Sequence, residues 1–106
     1  MELHIKDRLL LPTILPEKGN FMDFNLKKSV LGKVSITELE RKDYNIVENA
    51  EERRIEWDMA KDMERPLSVD FSNDELNYLK KACEAISDNN LPDEVWILVE
   101  RLYNEA

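Results

Sequence analysis

The chain reads as a single α+β domain: N-terminal helices, a small antiparallel three-stranded meander and a C-terminal helix pair. Two observations predict this. Ser35-x-x-Glu38 and Ser72-x-x-Glu75 both have the form of a capping box, in which the Ser hydroxyl accepts from the amide three residues on and the Glu reaches back to the Ser amide. The spacing of apolar residues also changes from helical to alternating near Tyr44 and returns to helical after Ser72. A chain of 106 residues suffices for one modest core, so residues 1–106 are expected to form one globular domain.

Taken in order, Ile5, Leu9, Leu10, Ile14 and Leu15 recur at helical spacing. Pro12 lies among them and removes one backbone donor, so this first helix should kink or start late. Pro16-Glu17-Lys18-Gly19-Asn20 reads as a turn. A second helix follows from Phe21 to Val34 on Phe21, Phe24, Leu26, Val30, Leu31 and Val34, with Gly32 as its stop signal. Ser35 then opens a short helix through Leu39 that ends near Tyr44.

Tyr44–Glu48 and Arg53–Trp57 are strand-like and flank Asn49–Glu52, a connection of hairpin length. Asp58–Pro66 is polar and charged and reads as a mobile loop between strands. Leu67-Ser68-Val69-Asp70-Phe71 alternates at every step and predicts the third strand, with its apolar residues facing the core. After Ser72, Leu76, Leu79, Cys83 and Ile86 form one helical stripe, which Asp88-Asn89-Asn90 ends. Pro92, Asp93 and Glu94 suit the first turn of a last helix reaching Tyr103, because proline has no donor to lose there and acids favour the positive helix end. The expected core comprises Leu9, Leu10, Phe24, Leu31, Leu39, Ile55, Trp57, Val69, Phe71, Leu79, Cys83, Val95, Leu98 and Leu102.

The composition, 42% hydrophobic and 36% charged with two Gly and four Pro, is that of a folded soluble domain. No apolar run approaches the roughly 20 residues that span a bilayer. Charges interrupt Met1–Asp7 where a signal peptide needs an apolar stretch, and the single Cys83 fits a reducing compartment; both point to the cytoplasm. The net charge of −8 is uneven: residues 1–34 sum to +2, 35–66 to −4 and 67–106 to −6. Such a surface disfavours direct nucleic-acid binding. A winged-helix reading, with Arg41 and Lys42 on the reading helix, fails on Glu38, Glu40 and Asp43 beside them.

Chemistry-bearing motifs are sparse. His4 has no Ser, Cys or carboxylate companion at a recognisable spacing. Cys83 lies on an apolar stripe, its near neighbours Lys80 and Lys81 point mostly to other faces, and it reads as an inert core thiol. The acidic pairs Glu51-Glu52, Asp74-Glu75 and Asp93-Glu94 sit in a turn and in two helix first turns. Gly19 and Gly32 cannot build a phosphate loop. The sequence therefore predicts no catalytic residue, no metal and no cofactor, and not an enzyme.

The interface candidate is the last helix. Val95-Trp96-Ile97-Leu98-Val99 is a continuous apolar run, whereas a surface helix needs one apolar stripe. With Val95, Leu98 and Leu102 turned inward, Trp96, Val99 and Tyr103 occupy an adjoining face. Either a second copy covers that face in a two-fold homodimer, or the first helix or the 58–66 segment covers it within one chain. The functional expectation is action through protein–protein contact. The alternative is an acidic nucleic-acid mimic that inhibits a host DNA- or RNA-binding defence protein.

Lys6-Asp7-Arg8-Leu9-Leu10-Leu11, Leu15-Pro16-Glu17-Lys18-Gly19-Asn20-Phe21, Ile55-Glu56-Trp57, Phe71-Ser72 and Leu102-Tyr103 resemble segments of short uncharacterised proteins encoded by bacteriophages and prophages. The resemblance covers most of the chain, with Pro12 and the 58–66 segment as departures. That group has no assigned activity and no known catalytic residues, so none is carried over to this chain. The resemblance implies a mobile-element origin and an accessory role in a bacterial cell.

Overall fold

In a computed structural model that describes residues 1–105, the chain runs β1 (Glu2–Leu3), α1 (Ile5–Ile14), α2 (Phe21–Val34), α3 (Glu38–Asp43), β2 (Val47–Asn49), β3 (Arg54–Glu56), α4 (Met59–Glu64), β4 (Leu67–Ser68), α5 (Asn73–Ala85) and α6 (Asp93–Glu105). Helix and sheet are mixed, as the α+β reading requires. The expected three-stranded meander is replaced by two separate two-stranded antiparallel sheets. β2 and β3 form the hairpin, in the register Val47–Glu56, Glu48–Ile55 and Asn49–Arg54. β4 instead pairs with β1, Leu67 opposite Leu3. The backbone of Met1 extends this ladder: its nitrogen donates to Val69 O at 3.0 Å and its carbonyl accepts from Val69 N at 2.9 Å. A two-residue strand shows no period of its own, so β1 left no trace in the sequence pattern.

The expected loop at 58–66 is also corrected, because most of it is α4. Asp58 Oδ1 accepts from Lys61 N at 3.1 Å and so caps the helix. Buried Asp62 accepts from Ile5 N at 3.0 Å, which fastens α4 to the start of α1. The first capping box is shifted by two residues. Ser35 ends α2, its amide donating to Leu31 O at 2.9 Å. Thr37 opens α3: Thr37 Oγ1 accepts from Glu40 N at 3.2 Å and Glu40 Oε1 accepts from Thr37 N at 3.1 Å. Ser72 and Glu75 form the second box as expected. Gly32 does not stop α2, which runs through it to Val34. Pro12 is tolerated in the last part of α1 on its exposed side.

α5 and α6 pack together, with α2 against α5 and α1 against α6. Leu3, Leu11, Val30, Val34, Leu79, Leu98 and Leu102 fill the space between them. Of the expected core, Val69, Leu79, Cys83, Val95, Leu98 and Leu102 are buried, and Leu10, Leu31 and Phe71 are partly buried against it. Leu9 and Trp57 are half-buried. Phe24, Leu39 and Ile55 are exposed, contrary to expectation. α2 turns Asp23, Leu26, Lys27, Val30 and Val34 inward, and Phe24 falls to one side of that row. Leu39 is on a short helix with no buried residue, and Ile55 is on a hairpin that stands apart from β1 and β4.

Two cations tie the helices together. Arg8, 5% exposed, donates from Nε to Val34 O at 2.9 Å, from Nη2 to Ser35 O at 2.7 Å, and to both oxygens of Glu40 at 2.6 and 2.8 Å. One fork thereby ties α1 to the end of α2 and the start of α3. Lys33 donates to Glu75 Oε1 at 2.5 Å and to Asp70 O at 2.8 Å, tying α2 to the start of α5.

Candidate functional site

The turn between α1 and α2 lies close against the first turn of α2 and forms one lip of a groove. Asn20 Oδ1 accepts from Asp23 N at 2.8 Å and caps α2. A Cβ on Gly19 would stand 2.8 Å from Asp23 Cβ, so only glycine allows this approach. Lys27 Nζ donates to Pro16 O at 2.8 Å and holds the turn from the other side. The groove thus formed has a volume of about 560 Å³. Phe24, Leu31 and Tyr78 supply its apolar surface, Lys18, Lys27 and Lys28 its cations, and Glu17 and Asp23 its acids.

The first turn of α2 leaves three apolar side chains in solvent, of which Phe24 lines the groove. Phe21 is 76% exposed and Met22 and Phe24 also face out. Lys28 Nζ stands 5.7 Å from the centroid of the Phe24 ring, within cation–π range. Burial, and then the nearby Asp23 charge, push the Tyr78 hydroxyl up from its ordinary pKa, so it remains a neutral phenol. Ion pairs among the described residues engage Lys6, Arg8, Lys33, Arg54, Lys61, Arg65 and Arg101; Lys18, Lys27 and Lys28 enter none, and neither do Arg41, Lys42, Arg53, Lys80 and Lys81.

A second groove, of about 530 Å³, lies beside the hairpin between Lys6, Ile55, Trp57 and Met59. The Trp57 indole Nε1 is buried there without a hydrogen-bond partner. Neither groove gathers the nucleophile, base and orienting group that catalysis combines.

The residues singled out in the sequence are dispersed. His4 packs on Asp62, its Nδ1 lying 3.3 Å from the Asp62 carbonyl oxygen and 3.5 Å from Oδ1. Cys83 is buried with its Sγ 3.9 Å from Val99 O. Burial, and then the Glu84 charge, push its thiol up, away from the reactive thiolate. Glu75 is buried against Lys33, and Glu94 pairs with Lys6 at 2.6 Å. Among the described residues no three His, Cys, Asp or Glu side chains come together as a metal would need. None of their helices is long and apolar enough to cross a membrane.

The three interface candidates on α6 do not share one surface. Val99 is buried in the chain's own core and so has nothing to offer a partner. Trp96 is half-buried against that core, and Tyr103 is exposed, with Lys80 Nζ 5.2 Å from its ring centroid. The sequence reading missed the α2 groove because Phe24 and Leu31 were assigned to the core and Pro16–Asn20 only to a turn. The available signal was the interleaving of Phe21 and Phe24 with Lys18, Lys27 and Lys28. No protein-family model matches the chain, and no curated protein and no solved structure matches it either.

Proposed function

We propose that this protein acts by binding another protein, as a small non-enzymatic accessory product of a bacteriophage or prophage in the bacterial cytoplasm. The observation that carries the binding reading is the α2 groove itself, with exposed Phe24 in its lining and exposed Phe21 three residues before it on α2. Scattered exposed apolar side chains are ordinary, but an exposed phenylalanine lining a concave surface, with a second phenylalanine three residues away on the same helix side, suits a contact site. The nucleic-acid-mimic reading has less support: no regular row of carboxylates carries it, and Glu75 and Glu94 of the acidic C-terminal part are held by Lys33 and Lys6 of the chain itself.

The test is site-specific photocrosslinking in a host lysate. A photoreactive residue at Phe21 should yield a discrete crosslinked product. The same residue at Glu51, in the turn of the hairpin, should yield none. No product from either position would reject the reading.

A further inference from the structure

We infer that the α2 groove takes an acidic peptide segment that carries one apolar anchor side chain. This deepens the protein-binding reading and rests on it. The first argument is charge. In a chain of net charge −8, Lys18, Lys27 and Lys28 line one concavity and outnumber its two acids, Glu17 and Asp23. Lys27 is already oriented by Pro16 O, and an ammonium has three donors, so two remain for a ligand carboxylate.

The second argument is the arrangement of apolar surface under those cations. Phe24, Leu31 and Tyr78 line the groove, and about 560 Å³ is within the range of pockets that enclose a ligand. An apolar side chain seated there places its flanking residues beside the lysines. Lys28, poised over the Phe24 ring, stands where anchor and carboxylate would meet.

The third argument separates a peptide from a nucleic acid, which also combines negative charge with flat apolar groups. Glu17 and Asp23 line the same groove. A phosphate chain presents charge at every nucleotide and would meet both acids, whereas a peptide can place its carboxylates against the lysines alone. The net charge of the whole chain opposes a polyanion further.

The experiment is selection of displayed random dodecapeptides on the full chain, followed by anisotropy titration of the enriched peptides. Two variants are titrated alongside. Lys28→Glu reverses a groove charge, and Lys81→Glu makes the same net change on an exposed site of α5. Enriched peptides should carry Asp or Glu on either side of a Phe, Trp or Leu. Lys28→Glu should weaken them about tenfold, the loss of a charge-assisted contact, and Lys81→Glu should leave them unchanged. Neutral or basic enriched peptides would overturn the acidic partner while leaving protein binding intact. Equal weakening by both variants would reduce the effect to net charge and overturn the groove. Tighter binding of a thymidine oligonucleotide than of any peptide would overturn it in favour of a nucleic acid. No enrichment, with a crosslink at Phe21, would overturn the peptide chemistry alone; no enrichment and no crosslink would overturn both readings.

Discussion

Burial and charge meet most sharply at two glutamates. Glu75 is 2% exposed, and burial, the largest influence on it, pushes its carboxyl up. The ammonium of Lys33, the amide of Ser72 and the hydroxyls of Ser29 and Ser72 outweigh that and hold it at about 2. Glu40 is also held at about 2, chiefly by its bonds to Arg8, against the opposing effect of burial. Both folded values lie below the ordinary 4.5, so the stability they confer is complete above about pH 4.5 and is lost as pH falls through about 2. For Glu75 that linkage is on the order of 3 kcal/mol. Urea titrations should therefore show a midpoint that is steady near neutrality and declines below about pH 4.5. Glu75→Gln should be less stable at pH 7 and flatter in acid; an unchanged acid slope would show that Glu75 does not govern it. Arg8→Ala should cost about 3–5 kcal/mol, the range for breaking a buried ion pair from one side. Arg8→Lys should not restore it, since a single ammonium cannot reproduce the fork that reaches Glu40 and two carbonyls together.

At the scale of elements, the long helices were legible and the short pieces were not. α5 could be placed from Ser72, Glu75 and a stripe of Leu79 and Cys83 because cap, period and burial all agree. α3 was displaced because Ser35-x-x-Glu38 and Thr37-x-x-Glu40 are the same signal two residues apart, and what selects the second is Arg8, 32 residues away from Glu40. α4 was missed because a six-residue helix shows less than two turns of period, although its Asp58 cap stands in the sequence. The two glycines of the α2 region have opposite roles. Nothing lies within 4 Å of a Cβ on Gly32, and its neighbours are helical, so Gly32→Ala should stabilise the protein by about 0.5–1 kcal/mol in urea denaturation. Gly19→Ala forces Asp23 away from the turn, so it should destabilise the protein and weaken whatever the groove binds. If Gly19→Ala matches the parent in both measurements, the close approach of turn and helix has no energetic weight.

On the scale of the whole molecule, the features that escaped the sequence are those assembled from distant segments. β4 pairs with β1, not with the nearby hairpin, and the candidate groove needs Tyr78 of α5 beside Pro16 and Phe24. Neither is a local pattern. The same holds for α6, where the run Val95–Val99 suggested a homodimer. Its apolar groups are distributed within the chain: Val95, Leu98 and Val99 are in the core, Trp96 packs against it, and α1 and α5 cover the helix. Ile97, 65% exposed, is the residue of that run left to solvent, and with Tyr103 it provides far less than the roughly 800 Å² per partner of a standard interface. Light scattering at high micromolar concentration should accordingly give a single species of monomer mass. Trp96→Asp should lower the stability of that monomer, because the ring packs on its own core, and Ile97→Asp should change neither mass nor stability. A dimer that Ile97→Asp dissociates while the chain stays folded would reinstate α6 as a contact between copies.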